Sequence, residues 1–471
     1  MKNSKAEIQN RLAGSPDWTK KLAVGLIFLG AVILAQLIAR KSLAGILIAG
    51  AILTVVALLF FIRHSGIAFP LVIIASLLIP LSISTGTQTR INSALLLVML
   101  LVAAWLVKMA IVDRQLAILP QRSVYAALAF IVVCLVAFGF GQLDWYASKG
   151  ASLFAQIGQI LILTMSAAAF LLAAHRMQNI RWFKTTVYVF IALGGAYILA
   201  FMLPPLRHYA NLIFQRAVQD SLFWTWLIAL AFGQFLVNRN LKPFIKISFL
   251  IVALAGFFTV TITKQSWVSG WLPVAAALFV ILLLTKPKAA IVAAMVFVII
   301  LLVQSQIINN YIFVGDNQYS MSTRLEAWKI LFQIIAKNPL FGVGPANYYF
   351  YTPYYNILGY SVSFNSHNNY IDIIAQTGLV GIIVFFWWMI EIAKVGFSLL
   401  KKPLDCFENA FVVSAIAGLA GTLVAAFLGD WFLPFVYNIG MDGYRASVLA
   451  WIFLGGLLFI QKKNQTLGVT N

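Results

Sequence analysis

A long apolar run that begins beside a histidine decides the class of this protein. Residues 370–393 read YIDIIAQTGLVGIIVFFWWMIEIA, and Ser366, His367, Asn368 and Asn369 come directly before them. A helix needs about 20 mostly apolar residues to cross the hydrocarbon core of a bilayer. The run therefore predicts a membrane-spanning helix, with His367 at the point where the chain enters the bilayer.

The whole chain has the same apolar character. Hydrophobic residues make up 62% of its 471 residues and charged residues only 10%, whereas about a quarter of a soluble domain is charged. Further runs of suitable length lie near 22–39, 43–62, 67–83, 91–110, 123–141, 152–173, 184–203, 220–237, 245–262, 268–284, 289–305, 407–428 and 443–461. We therefore predict an all-α fold, a polytopic membrane bundle of about 12–14 transmembrane helices that forms one membrane domain over residues 1–471.

The basic residues indicate how the chain crosses the membrane. They give a net charge of +20, but they are scattered singly between the apolar runs, which favours membrane lipids over nucleic acid as their partners. With the N-terminus inside, the inner segments hold about twice as many lysines and arginines as the outer ones. The positive-inside rule thus predicts two cytoplasmic termini, although Arg40 and Lys41 violate it in the first hairpin.

One large polar segment, residues 306–369, interrupts the apolar runs and is predicted to lie outside the cytoplasm. Within it, apolar residues recur every three or four positions over residues 321–336, which predicts an amphipathic helix on the membrane surface. Thr323 and Glu326 have the spacing of a capping box, so Arg324 would occupy the first turn. A cation there opposes the helix dipole unless an anion is also bound. Arg324 is therefore either an anion ligand or an arginine that reaches to lipid phosphate.

A tyrosine-rich stretch follows this predicted helix. Residues 347–356 read NYYFYTPYYN and include Tyr348 and Tyr349. Such rings stack on the faces of sugars, but aromatic belts at a membrane interface have the same composition. The sequence leaves both interpretations open.

Three short motifs in the polar segment and after it resemble the O-antigen ligase and O-antigen polymerase superfamily. They are STRLEAW at 322–328, NPLFGVG at 338–344 and SHNNYIDIIAQTGLVG at 366–381. The resemblance implies a membrane glycosyltransferase of the bacterial cytoplasmic membrane, with its active site on the extracytoplasmic side. It implies transfer of a glycan from undecaprenyl diphosphate to a hydroxyl of a glycan, lipid or polymer acceptor. It also implies that no metal or other cofactor is used.

The resemblance also implies roles for single residues. In this superfamily the histidine that matches His367 is essential, and outer-face arginines, one matching Arg324, bind the lipid diphosphate. A second basic residue usually follows a span, and the nearest match is Lys264 in residues 263–267, TKQSW, where lysine replaces arginine. Arg216, in the external loop before the run at 220–237, is the alternative second ligand.

The chemistry of these residue types agrees with such a reaction. A diphosphate is a good leaving group whose charge arginine or lysine can hold. The acceptor hydroxyl needs a base near neutral pH, which histidine supplies, and Asn368 and Asn369 are expected to fix the ring of His367. The alternative is an interfacial histidine with a structural role, and this is the role expected of His208.

Other functions fit the sequence less well than glycosyl transfer. A transporter or flippase of lipid-linked oligosaccharides is the main alternative, but charged groups inside the spans, which alternating access favours, are few. Cys134 and Cys406 lie far apart in or beside apolar runs, and His64 and His175 map to the side opposite His367, so no metal site is predicted. The sequence does not choose between a ligase and a polymerase.

Overall fold

The computed structural model describes residues 43–84, 90–264, 266–303 and 316–468. The chain divides into two compact units, Met1–Arg63 and His64–Asn471. The part of the first unit that the structure describes is one helix, α1 (Leu43–Arg63). The candidate site residues His367, Arg324, Lys264 and Arg216 all belong to the second unit. That the whole chain is one membrane domain stays a prediction.

The second unit is almost entirely helical in its described parts. In chain order its elements are α2 (Ser65–Leu77), β1 (Ser82–Ser84), β2 (Arg90–Asn92), α3 (Ser93–Val107), α4 (Arg122–Phe140), α5 (Leu153–Arg176), α6 (Ile180–Met202), α7 (Pro204–Ile213), α8 (Ser221–Val237), α9 (Pro243–Phe258), α10 (Val268–Thr285), α11 (Pro287–Val303), α12 (Asp316–Ile335), α13 (Tyr348–Tyr351), α14 (Asn369–Leu399), α15 (Cys406–Leu428) and α16 (Tyr444–Gly468). The strands β1 and β2 form a small antiparallel hairpin in which Ile83 pairs with Ile91.

The described helices confirm the predicted all-α polytopic membrane bundle. Among the described residues, nine helices are long and apolar enough to cross a membrane: α3 with the turn after it, α4, α5, α6, α9 with the turn after it, α10, α14, α15 and α16 with the turn before it. Shorter apolar helices include α2 and α8. The predicted run at 22–39 lies outside the described residues, and each of the other predicted runs overlaps a helix over most of its described length.

Helix α16 forms the centre of the bundle, because its apolar stretch is buried along its whole length. Trp451 of this helix stacks on Trp388 of α14, with ring centroids 4.6 Å apart, and on Phe432, with centroids 4.0 Å apart. All three rings are fully buried. Stacked aromatic rings therefore connect α14 and α16 to the segment between α15 and α16, residues 429–440.

Arg445 in the first turn of α16 is a structural cation. It is 2% exposed, and its guanidinium donates to the carbonyl oxygens of Ala75, Ile79 and Leu81 at 2.9–3.1 Å and to Ser93 Oγ at 3.0 Å. These acceptors lie at and beyond the C-terminal end of α2 and at the start of α3. A cation is favourable where helix carbonyls remain unpaired. Arg445 therefore holds three helix ends together.

Helix α14 breaks at Gly378, and the break binds the loop 338–344. Gly378 has φ +70, which interrupts the helical hydrogen bonds around it. The freed groups pair with the loop: Val343 N–H donates to Ala375 O at 2.9 Å, and Leu379 N–H donates to Pro339 O at 2.8 Å. The Gln376 side chain adds a bond by accepting from Ala346 N–H at 3.1 Å. The NPLFGVG motif (338–344) and the QTGLVG sequence (376–381) are therefore joined by backbone hydrogen bonds into one junction.

Helix α12 differs from its prediction in two respects. It begins at Asp316, so Thr323 lies inside the helix, and the predicted capping box and the first-turn position of Arg324 are wrong. Its buried stripe packs against α14 and the tyrosine-rich stretch, so this face contacts protein instead of lipid. The buried stripe consists of Ala327, Ile330, Leu331, Ile334 and Ile335.

Candidate active site

His367 lies two residues before α14 in an unusual backbone conformation. Its φ of +49 is in the left-handed region, which residues other than glycine rarely adopt. Bonds on both sides hold it there: Asn368 N–H donates to Ser366 Oγ at 2.9 Å, and Trp328 Nε1 of α12 donates to Ser366 O at 2.8 Å. The imidazole is half-buried. Its position at the start of α14 is thus set by bonds to its neighbours and to α12.

The two asparagines after His367 fix the backbone around it, not its ring as expected. Asn368 Oδ1 caps α14 by accepting from Tyr370 N–H at 2.9 Å and Ile371 N–H at 3.3 Å. Asn369 Nδ2 donates to Leu433 O at 2.7 Å, so it ties the start of α14 to the segment 429–440. Asn368 is 2% exposed, so almost none of its surface is open to a ligand in this structure.

The ring of His367 instead faces Asn438. Asn438 Nδ2 lies 3.4 Å from His367 Nδ1 and 2.6 Å from Asp430 Oδ1. Asp430 is buried, and its second oxygen accepts from Phe435 N–H at 2.9 Å. The segment 429–440 therefore supplies a chain of three polar groups that ends on the imidazole.

Arg324 reaches the same place from α12. Its Nη1 donates to Leu428 O at 3.1 Å, at the C-terminal end of α15, where the helix dipole favours a cation. Its Nε is buried and has no hydrogen-bond partner within the part of the chain that the structure describes. The guanidinium is therefore anchored at one nitrogen and keeps a donor for a further ligand.

The charges of these side chains act on one another. Burial and the nearby Arg324 guanidinium together lower the pKa of His367 to about 4. Burial also lowers the pKa of Arg324, and the Asp430 carboxylate partly offsets this. Burial raises the pKa of Asp430 itself. The structure thus brings Arg324, His367 and Asp430 into one electrostatic site in which the imidazole is neutral at pH 7.

Lys264 lies among aromatic rings near this site. Its ammonium is 5.2 Å from the ring centroid of Trp267, 5.3 Å from that of Trp224 and 5.6 Å from that of Phe201. Burial lowers the pKa of Lys264. Trp267 in turn packs edge-on against Trp431, next to Asp430, with centroids 6.0 Å apart. Cation–π contacts therefore hold the ammonium over Trp267, and Trp267 in turn contacts the segment 429–440.

Arg216 lies on an exposed turn before α8 and faces a buried acid. Burial raises the pKa of Asp220 well above its usual value, the charge of Arg216 opposes this rise, and Asp430 and Asp442 add to it. Asp220 is 3% exposed. Arg216 therefore lies close enough to Asp220 for their charges to interact, and Asp430 and Asp442 act on the same buried acid.

The two tyrosines singled out in the sequence have different environments. Tyr348 is fully buried, its hydroxyl donates to Asp372 Oδ1 at 2.5 Å, and its ring stacks on Phe435. It belongs to the core and offers no free face to a sugar. Tyr349 is half-buried and stacks on Tyr437, with centroids 4.8 Å apart and an angle of 13° between the planes.

Sequence reasoning missed the residues supplied by the segment 429–440. Asp430 had a detectable signal, because a lone acid directly after a membrane span is rare and often functional. Tyr437 and Asn438 had none, since polar and aromatic residues are common in any external loop. His208 is exposed on α7, and the described chain shows no contact between it and His367.

Comparison with known proteins agrees with the motifs. A family model described as O-antigen ligase matches residues 249–386. This range includes Lys264, Arg324, the junction at Gly378 and His367, but not Arg216 or the segment 429–440. No curated protein sequence matches the chain. Residues 249–386 carry the predicted motifs in order, so this match supports the resemblance of the chain to the O-antigen ligase and polymerase superfamily.

Proposed function

We propose that this protein transfers a glycan from undecaprenyl diphosphate to an acceptor hydroxyl at the extracytoplasmic face of the bacterial cytoplasmic membrane. The observation that carries the proposal is the meeting of a neutral imidazole, His367, with a guanidinium, Arg324, that keeps a buried donor without a partner. A base and an anion ligand side by side are what displacement of a diphosphate by a hydroxyl requires.

The bond changes follow from these two groups. The imidazole of His367 accepts the proton of the acceptor hydroxyl while the hydroxyl oxygen forms a bond to the anomeric carbon. The bond from that carbon to the phosphate oxygen breaks, and undecaprenyl diphosphate leaves with the electron pair. Arg324 holds the charge of the leaving group, with Lys264 or Arg216 as the second cation. A diphosphate beside His367 also stabilises the imidazolium and makes the imidazole a stronger base.

Asp430 and Asn438 are positioned to select the tautomer of His367. For Nε2 to accept a proton, Nδ1 must carry one, and the Asn438 carboxamide must turn its oxygen toward Nδ1. A protonated Asp430 can then donate to the same oxygen; burial raises the pKa of Asp430, whereas its hydrogen bonds with Phe435 N–H and the Asn438 side chain lower it. These two residues are positioning residues in the proposed reaction.

Aromatic rings beside the base suit a sugar in the acceptor. Tyr437, which stacks on Tyr349, directly precedes Asn438 in the chain. A flat aromatic pair next to the base would hold the face of a sugar while its hydroxyl reaches His367. The acceptor is therefore proposed to be a glycan, on lipid or on a polymer, rather than a small alcohol.

The proposal is tested in a deletion strain that carries the gene on a plasmid. The variant His367→Ala is expected to lose glycan attachment by at least about 10²-fold, the usual contribution of a general base, while the lipid-linked glycan accumulates at the outer face. The variant His208→Ala, which changes another histidine expected at the outer face, serves as the control and is expected to keep attachment.

Two results would overturn the proposal. A His367→Ala protein that attaches glycan at the wild-type level would remove the catalytic role. A variant that instead traps lipid-linked glycan on the cytoplasmic side would show that the chain is a transporter. A change in polymer length without loss of attachment would identify the polymerase form of the reaction.

A further inference from the structure

A polar cavity lies at the end of the bundle opposite His367. Its volume is about 260 Å³, and it is lined by residues at the start of α4, near the end of α14 and in α16. Helix α14 starts beside His367, and the part after its break, from Leu379 to Lys394, alone rises roughly 22 Å, so the cavity and His367 lie at opposite ends of the bundle. The lining includes Gln121, Arg122, Ser123, Glu391, Lys394 and Gln461.

Three polar atoms in the lining are buried and have no hydrogen-bond partner among the residues that the structure describes. Ser123 is 1% exposed, and its hydroxyl has no hydrogen-bond partner within the described residues. The same holds for Oε1 of Gln121 and Oε1 of Gln461, on the other sides of the cavity. Buried polar groups nearly always have a partner, so such a cluster indicates a ligand with its own donors and acceptors.

The charges around the cavity favour an anion. Arg122 is the first residue of α4, and the preceding Gln121 makes no side-chain cap, so the positive end of the helix dipole is open. Lys394 donates to Glu391 at 2.7 Å, yet its side chain remains 60% exposed. Arg122 forms no ion pair among the described residues. The lining therefore carries two cations against one acid.

The surface next to Lys394 is apolar and faces outward. Ile383, Trp387 and Ile390 are 65%, 38% and 52% exposed, and with Lys394 they follow the spacing of one helix face. In a membrane this face contacts acyl chains. A lipid whose headgroup entered the cavity could therefore pack its acyl chain against this face of α14. A soluble phosphate has no chain to place there.

We propose that this cavity binds the headgroup of an anionic phospholipid that carries hydroxyl groups, of the phosphatidylglycerol class. The phosphate is held by Arg122, Lys394 and the Ser123 hydroxyl, and the glycerol hydroxyls donate to Gln121 and Gln461. The site lies across the membrane from the proposed reaction, so it stands whether or not the proposed transfer is correct.

Native mass spectrometry of the full-length, delipidated protein tests the site. Dioleoyl phosphatidylglycerol is titrated against the wild type, with dioleoyl phosphatidylcholine and inorganic phosphate as separate probes. The double variant Arg122→Gln, Lys394→Gln is expected to bind phosphatidylglycerol about 10–30-fold more weakly, since each cation near a headgroup contributes about one decade or less. Ser123→Ala, which changes no charge, is expected to weaken binding about fivefold.

The matched control is Lys401→Gln, Lys402→Gln, which removes two exposed cations just beyond α14 and outside the cavity. This control is expected to bind phosphatidylglycerol like the wild type. The proposal is overturned if the control loses as much affinity as the cavity variant, or if phosphatidylcholine binds as tightly as phosphatidylglycerol. It is also overturned if inorganic phosphate at the lipid's concentration displaces the lipid, which would make the site one for free phosphate.

Discussion

The backbone of His367 has a strained conformation that bonds between neighbouring residues enforce. A residue with a side chain at φ +49 is strained by about 1–3 kcal/mol, and such strain persists only where neighbouring bonds enforce it. Here Trp328 and Asn368 bond to Ser366 and enforce it. Asparagine tolerates this region better than most residues, so His367→Asn keeps the local conformation while it removes the base.

The first residue-scale prediction concerns pH. Because the pKa of His367 is about 4 without a substrate, the acid limb of kcat/KM is expected near pH 4. Bound diphosphate is negative and raises the pKa of His367, so the acid limb of kcat is expected about 1–3 pH units higher. Steady-state rates of the purified protein between pH 3.5 and 8, roughly the span over which histidine titrates, measure both limbs. Two coincident limbs near the ordinary histidine pKa would contradict this account.

The second residue-scale prediction concerns Asp430. In Asp430→Asn, Oδ1 can still accept from Phe435 N–H and the amide can donate to the oxygen of Asn438, as a protonated acid would. This variant is expected to keep kcat close to that of the wild type. Asp430→Ala loses both bonds, and kcat is expected to fall about 10–100-fold, a range typical of second-layer groups. Equal losses in the two variants would show that the carboxylate charge itself matters.

Only some of the site residues could be predicted from sequence. His367 and Arg324 could be found because they lie in the motifs that carry the resemblance and because a base and a cation are the groups that the chemistry needs. Asn438 and Tyr437 could not, since all of α14 and α15 separates them from His367 in the chain and only the folded bundle brings them together. The expectation for Asn368 failed because a helix N-terminus uses the nearest side-chain oxygen as its cap.

At the scale of elements, the junction of α14 with the loop 338–344 positions the site. Gly378 and Gly342 both have φ +70, and a Cβ at either position would meet backbone atoms of the other segment. Neither collision can be relieved by a side-chain rotation. The glycines of the two motifs are therefore required by the close approach of two backbones, and through this junction the loop and α12 are aligned with His367.

A glycine substitution tests this junction. Gly378→Ala combines unfavourable φ with a collision against the backbone of Leu340, so it is expected to destabilise the protein by at least about 1–3 kcal/mol. Thermal unfolding in detergent measures the effect. The control is Gly139→Ala in α4, where a Cβ would meet open space and no positive φ is present, so it is expected to leave the midpoint unchanged or slightly raised. Equal midpoints for the two variants would rule out the junction as a structural requirement.

The element boundaries show where sequence patterns suffice. The apolar runs located the spanning helices because twenty consecutive apolar residues have few other uses. The start of α12 was predicted wrongly because polar residues from Asp316 onward lack the apolar period that marked the rest of the helix. Its buried face was assigned to lipid, since a pattern cannot show whether an apolar stripe meets a bilayer or another helix.

At the scale of the molecule, the predicted orientation is open to direct measurement. Tyr360 is 69% exposed in the polar segment, and Lys402 is exposed beyond α14 at the other end of the bundle. In a background with Cys134→Ser and Cys406→Ser, Tyr360→Cys is expected to react with an impermeant maleimide in intact cells. Lys402→Cys is expected to react only after the membrane is opened. The reverse labelling pattern would show that the polar segment lies on the cytoplasmic side and would contradict the predicted orientation.

The most direct test of the central claim separates binding from transfer in purified protein. Donor affinity and single-turnover transfer are measured with a glycan on undecaprenyl diphosphate. His367→Asn is expected to bind the donor with near wild-type affinity but to transfer it at least about 10²-fold more slowly, whereas Arg324→Gln is expected to lose donor affinity. Wild-type transfer by His367→Asn, or unchanged donor affinity in Arg324→Gln, would contradict the assignment of His367 as the base and Arg324 as the diphosphate ligand.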